Sequence, residues 1–317
     1  MPATKYEGVP RSCAICQSAT HDVGTVYGRH SKSYYGLARC AECGYAFVTN
    51  PCQDFANLYD DAYYDGRGAD PLVDYGYELD HPDRTIRCYE WRGIGRVIRG
   101  LVGEISSLRW LDYGCGNGGL VRYLQNQHAV AALGFEEGSI ARRAQGSGIP
   151  ILARSDLADH DGSFDVVSAI EVLEHTSDPV AELRVMRRLL RPGGLLFLTT
   201  GNARPHAAHL SNWSYVTPEI HISFFEPRTL ERALRAADFR PEYRGLGSGF
   251  DEILTFKVLK NLHVRRRSLL TDVLPRRIVG AMADRLTHLS EHPVGWVTEN
   301  ADPPDSHPAG RSSASRG

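Results

Sequence analysis

The chain has 317 residues, 42% of them hydrophobic, with 36 Lys or Arg against 38 Asp or Glu and a net charge of −2. That balance supplies no basic field for nucleic acid. No run approaches the ~18–20 apolar residues that span a bilayer, and Met1-Pro2-Ala3-Thr4-Lys5 lacks the apolar stretch of a signal peptide. The expectation is a cytoplasmic globular protein with one large domain and one small one.

Cysteines come first in chain order. Cys13-x-x-Cys16 and Cys40-x-x-Cys43 are separated by 23 residues, a spacing that signals zinc. Residues 1–50 carry too few large apolar side chains for a core of their own, and small modules compensate with a metal. Four thiolates make a closed tetrahedral site, so Cys13, Cys16, Cys40 and Cys43 are expected to hold a structural zinc. Residues 23–38, with Tyr27, Tyr34 and Tyr35, would form the strands of this ribbon. A redox pair would need a thioredoxin-like βαβ pattern, which is absent. Cys52, Cys88 and Cys115 are left over.

Residues 51–104 read as a helical cap or linker rich in tyrosine (Tyr59, Tyr63, Tyr64, Tyr75, Tyr77, Tyr89). Such rings can stack on a ligand and present hydroxyls, or simply join the ribbon to the main domain. Trp91, Ile94, Val97, Ile98 and Leu101 recur at helical spacing over 87–101. Trp110-Leu111-Asp112-Tyr113 then reads as a buried strand, followed by a turn with four glycines in six positions, 114–119. Such a loop, opening a helix, is where doubly wound folds bind nucleotide-like ligands. The spacing of Gly114, Gly116 and Gly119 alone fits a dinucleotide site equally well.

Further strands are expected at Ala131-Ala132-Leu133-Gly134-Phe135, Pro150-Ile151-Leu152, 163–170 and 195–200, and a helix at 229–237. Two strand-like runs near 241–246 and 253–259 would pair as an antiparallel hairpin. Glu136 ends the second strand, 24 positions after Asp112, where a carboxylate can accept both ribose hydroxyls. The fourth strand runs into Glu171-Val172-Leu173-Glu174-His175. In a helical turn Glu171, Glu174 and His175 share one face. Two carboxylates and an imidazole suit a divalent metal, and His221 is the candidate fourth ligand. Without metal, His221 becomes the candidate general base. His206 and His209 are weaker candidates, and Asn202 ends the fifth strand. The loop 201–217 is long enough to be a lid, and its Trp213 and Tyr215 form either a wall for the acceptor or a small core.

Asp112-Tyr113-Gly114-Cys115-Gly116-Asn117-Gly118 resembles motif I of the class I S-adenosylmethionine (SAM) methyltransferases, and the resemblance covers about residues 108–260. It implies an α/β, doubly wound, seven-stranded Rossmann-like sheet with an antiparallel C-terminal hairpin, behind an N-terminal zinc ribbon. It implies SAM as cofactor, with Asp112, Gly114, Gly116, Gly118, Glu136, Asp156 and Glu171 around it, and Asp156 at the adenine. Glu171-x-x-Glu174-His175 with the later His221 is similar to the divalent-metal site of the ubiquinone-biosynthesis O-methyltransferases and of the small-RNA 3′-terminal 2′-O-methyltransferases. The same cluster occurs in metal-free relatives. His221, Glu171, Glu174 and His175 are therefore the catalytic candidates.

The divisions expected are 1–50 ribbon, 51–104 cap, 105–260 methyltransferase domain, 261–300 helical extension and 301–317 disordered tail. The extension carries Ile278, Met282, Leu286 and Leu289 at helical spacing. It reads as a packed helix or an oligomer contact, with a membrane-surface helix as the other option. The acceptor is expected to be a small molecule, a sugar or natural-product scaffold methylated on oxygen. Carbon methylation of a nucleotide-linked keto sugar is the alternative, and an RNA- or protein-binding module is the alternative of another class.

Overall fold

A computed structural model describes residues 12–52, 54, 58–70, 74–242, 250–273 and 296–300. Strands β1 (Thr20–Gly28), β2 (Ser33–Cys40) and β3 (Ala46–Val48) form an antiparallel ribbon. Three helices follow: α1 (Asp61–Tyr64), α2 (Tyr75–Asp80) and α3 (Arg87–Val102). Asp60 and Asp74 start the first two, each accepting a backbone N–H in the first turn, as short polar side chains do at N-caps.

The large sheet is built from β4 (Arg109–Tyr113), β5 (Ala131–Phe135), β6 (Ile151–Leu152), β7 (Phe164–Ile170) and β8 (Leu190–Thr199), all parallel. Helices α4 (Gly119–His128), α5 (Ile140–Gly146) and α6 (Pro179–Leu189) lie between its strands in the chain. After β9 (Ser223–Phe224) come α7 (Pro227–Ala236), β10 (Phe239–Glu242), α8 (Phe250–Asn261), α9 (Leu269–Val273) and β11 (Trp296–Asn300). The full order across the sheet is β10-β11-β8-β7-β4-β5-β6, with β10 and β11 antiparallel. The order reverses beside β4, which places the glycine loop at the switch point where such sheets bind ligands.

Two expectations change here. The run 253–259 is helical and lies inside α8. Its residues alternate like a strand, but Phe250, Ile253 and Phe256 also stand at i, i+3 and i+6. That second spacing prevails because all three are buried in one cluster with Trp91, Ile94 and Ile98 of α3. Each such side chain contributes about 1.5–3 kcal/mol on burial. The antiparallel partner of β10 is instead Trp296–Asn300, from the stretch expected to be a helical extension. Ile278, Met282, Leu286, Leu289 and the 301–317 tail lie outside the described residues.

The ribbon is also less separate than its sequence suggests. Its sheet runs β1-β2-β3-β9, so its last strand comes from the far side of the chain. Cys13, Cys40, Cys43 and Tyr45 share one buried cluster with Phe225 and Leu230. Thr229 Oγ1 donates to the Cys43 carbonyl at 2.5 Å, and Arg39 pairs with Glu226. No helix among the described residues is long and apolar enough to cross a membrane.

Candidate active site

The glycine loop leaves β4 at Tyr113. Gly114, Gly116 and Gly118 have φ of 73°, 54° and 70°, the left-handed region that a Cβ disfavours. Gly116 N–H donates to Glu136 Oε2 at 2.9 Å and Gly138 N–H to Glu136 Oε1 at 2.7 Å. Burial pushes the Glu136 carboxyl up, and those two N–H groups work against the shift. Asp112 is 5% exposed and accepts from Ser168 Oγ at 2.7 Å. Burial raises its carboxyl to about 7. Asp112, the three glycines and Glu136 are thus brought together. Asp156 differs: it is exposed, and its oxygens accept from Ala153 N–H at 2.9 Å and Ser155 Oγ at 3.0 Å. Cys115 is a packing residue, buried beneath Gly134.

The cap lies on this cradle. Tyr64 OH donates to Glu136 Oε1 at 3.2 Å. A Cβ on Gly138 would stand 1.7 Å from that hydroxyl, and one on Gly116 would stand 2.8 Å from the Tyr75 ring. Asn117 ties loop to cap by donating to the Tyr75 carbonyl and to Glu78 Oε2, both at 3.1 Å.

At the carboxyl ends of β7 and β8 is a second cluster. Glu171 has φ of 54°, a backbone state that costs a non-glycine residue about 1–3 kcal/mol and tends to mark functional sites. Its Oε1 accepts from Lys257 Nζ at 2.8 Å and Thr199 Oγ1 at 3.2 Å, and its Oε2 accepts from Tyr215 OH at 2.8 Å. Burial opposes its charge, but the Lys257 ammonium holds the carboxyl well below the usual range. Glu174 is fully buried and accepts from Thr200 Oγ1 at 2.8 Å and from Tyr215 OH. Burial and the Glu171 charge push its carboxyl up to about 8.

His175 and His221 complete the cluster. The Nδ1 of His175 lies 2.9 Å from the Ile220 carbonyl, and that of His221 lies 2.7 Å from the Tyr215 carbonyl. A carbonyl only accepts, so His221 Nδ1 carries the proton and its Nε2 keeps a lone pair, whereas His175 Nδ1 faces both the Ile220 carbonyl and the Tyr59 hydroxyl, which can accept or donate. The His221 form is the tautomer of a metal-binding histidine. Burial, followed by the neighbouring His221, lowers His175 to about 3; burial also lowers His221. Ligand atoms of Glu174, His175 and His221 all lie within 4.8 Å of one another. Glu171 is not in that group; its carboxylate is paired with Lys257 instead. His206 and His209 also lie apart: His206 stacks on Trp213, and His209 is exposed on the outer loop. Asn202 caps its own turn by accepting from Arg204 N–H at 3.0 Å.

The four ribbon cysteines form the second group able to hold an ion. Two sulfur pairs, Cys13–Cys43 and Cys16–Cys40, are 3.5 Å apart. Ile15 and Cys43 N–H groups point at sulfurs from the knuckle turns. Hydrogen bonding from Cys43 lowers the Cys13 thiol to about 5 while Cys43 is pushed up. Four such sulfurs cannot all ionise side by side without a cation, and this donor set fits tetrahedral zinc.

A family described as a methyltransferase domain matches residues 89–243. A ubiquinone biosynthesis O-methyltransferase of Xanthomonas oryzae pv. oryzae is 36% identical over 192 residues, 54% of this chain and 78% of that protein. The chain belongs to the class I SAM-dependent methyltransferases. A Pseudomonas aeruginosa protein of the same description is 36% identical over 113 residues, and the chain spans only 48% of its length. Among solved structures, a SAM-dependent methyltransferase from Mesorhizobium loti aligns with a TM-score of 0.43 and 18% identity, over 56% of this chain and 100% of that one.

Within this methyltransferase, Tyr215, Thr200, Lys257, Tyr59 and Tyr64 are site residues that sequence reasoning missed or left undecided. Tyr59 OH lies 2.8 Å from His175 Nδ1. Lys257 was hidden because its segment reads as a strand. No local motif surrounds the others; only the fold brings them in.

Proposed function

We propose that this methyltransferase modifies a hydroxyl oxygen of a small molecule, and that Glu174, His175 and His221 hold a divalent cation that receives that hydroxyl. The observation that carries this reading is the Glu174–His175–His221 group itself. His221 is in the ligand tautomer, and among the described residues no lysine or arginine pairs with the buried Glu174 carboxyl. Lys257 offsets one of the two neighbouring carboxylates, and Tyr215 brings a single proton to both. A proton held by Glu174, or a cation in its place, would balance the site.

The cation would lower the acceptor's pKa and orient its oxygen. The chain does the rest. Glu136, whose two oxygens accept from Gly116 and Gly138 N–H, would accept the ribose hydroxyls of SAM, and Asp112 would lie toward its methionine end. Methyl transfer from a sulfonium is an in-line displacement, so holding donor and acceptor in register supplies much of the rate. Zinc in the Cys13, Cys16, Cys40, Cys43 cluster would have a structural role. The likeness to O-methyltransferases over 192 residues supports oxygen as the acceptor atom.

The test is methyl transfer from labelled SAM to a panel of small molecules with single hydroxyls, adjacent hydroxyls or a keto-activated carbon, before and after chelation. Transfer to a hydroxyl that is lost on chelation and restored by Mg2+ or Mn2+ is expected. Transfer that survives chelation would remove the cation and make His221 Nε2, a neutral imidazole, the base. Methylation of the keto compounds alone would overturn the oxygen assignment.

A further inference from the structure

Tyr215 touches three of the four residues expected to do chemistry. Its hydroxyl meets Glu171 Oε2 at 2.8 Å and Glu174 Oε1, and accepts from Gly201 N–H at 3.2 Å. Its carbonyl receives the Nδ1 proton of His221 at 2.7 Å. Its ring lies between Trp213, with centroids 4.7 Å apart and planes at 23°, and His221, at 4.2 Å and 30°. His206 extends the stack beyond Trp213 at 4.8 Å and 8°. Gly201 is required for this arrangement, since a Cβ there would stand 2.4 Å from the Tyr215 ring.

The contacts have different consequences. The hydroxyl, with Thr200 on the other oxygen, fixes the rotation of the Glu174 carboxylate. The carbonyl and the ring fix the tautomer and plane of His221. One residue of the long loop therefore sets two ligand atoms at once, from outside the ligand set. Partners of this kind commonly change metal affinity by about 10–100-fold when removed. A second consequence comes from the position of the residue. Loop 201–217 reaches the cluster through Tyr215, so the position of the loop and the geometry of the cluster depend on the same contacts.

We propose that Tyr215 is the positioning residue of the Glu174–His175–His221 site, its hydroxyl aligning the Glu174 carboxylate while its ring and carbonyl align His221. This rests on the divalent-cation reading above.

The experiment is Mn2+ binding by calorimetry on the full chain with its ribbon metal in place, comparing wild type with Tyr215→Phe. Phenylalanine keeps the ring stack and the carbonyl and removes only the hydroxyl. The expected result is Mn2+ affinity weaker by about 10–100-fold, SAM affinity unchanged, and turnover that recovers as Mn2+ is raised. A merely structural tyrosine would shift the melting temperature and SAM binding together and show no recovery. Equal Mn2+ affinity in the two proteins would overturn the assignment of Tyr215 and leave the cation reading standing. A wild type that takes up no Mn2+ would overturn the cation reading, and the inference with it. Loss of SAM binding in Tyr215→Phe would show a support for the whole pocket and overturn the proposal as stated.

Discussion

The glycine-loop cradle and the Glu174 cluster stand at the carboxyl ends of neighbouring strands of the same sheet, β4 and β5 for one and β7 and β8 for the other, yet they are assembled in opposite ways. The cradle comes from two short segments, 112–118 and 136–138, whose own backbone makes most of its bonds. The cluster is drawn from β7, the end of β8, the 201–217 loop, the turn before β9 and helix α8, with the ribbon behind it. Val48 N–H of β3 donates to the Ile222 carbonyl at 2.9 Å, and Ile222 N–H donates to the Glu174 carbonyl at 2.7 Å. Tyr45 OH meets Ser223 Oγ at 2.6 Å, and Ser223 Oγ donates to the Thr176 carbonyl at 2.5 Å. A local site tolerates damage elsewhere in the fold; a convergent one depends on every element that feeds it.

Cys13→Ser tests that dependence most severely. Elemental analysis should show the ribbon metal lost, since structural zinc supplies folding energy directly. Methyl transfer should disappear with it while SAM still binds. Full turnover without metal would mean that the ribbon does not support the cluster at all.

Next in size is Glu174→Gln. Turnover should fall by at least about 100-fold, the scale on which positioned acid–base and ligand groups act, with calorimetry showing SAM affinity intact. Equal losses in both would show that cradle and cluster are one site.

Glu136→Ala attacks the cradle instead. Hydrogen bonds to a charged group contribute about 1.5–3 kcal/mol, so SAM should bind at least tenfold more weakly. Unchanged affinity would place the ribose elsewhere. Tyr64→Phe should act in the opposite direction and more mildly. The hydroxyl on Glu136 would compete with the ribose for Oε1, and removing it should tighten SAM by up to about tenfold.

The smallest effect is a pH dependence. Burial raises Asp112 from the usual 3.8 to about 7. A carboxyl raised on folding holds its proton more tightly in the native state, so its contribution to stability is full below pH 3.8 and is lost as pH rises through about 7. SAM binding favours the ionised form, so its affinity should climb from pH 6 to 8 with proton release visible in calorimetry. Asp112→Asn should flatten the climb.

Motif I, the acid after β5 and the paired C-x-x-C knuckles were legible in the sequence because each is local. A left-handed backbone needs glycine, the acid directly ends its strand, and a knuckle needs its two sulfurs in one turn. Glu174, His175 and His221 were singled out from the sequence, the first two as neighbours in one turn and the third as a further ligand candidate, and the fold brings their ligand atoms within 4.8 Å of one another. The alternation of Ile253, Thr255, Lys257 and Leu259 suggested a strand, and the α3 face turned it into a helix that delivers Lys257 to Glu171. Only the tertiary structure separated Glu171 from Glu174. One carboxyl found a lysine and is held ionised; the other, among the described residues, found none and is pushed toward its protonated form, and no spacing in the chain encodes which is which. Burial is a property of the packed molecule, and so is the cost of a charge inside it.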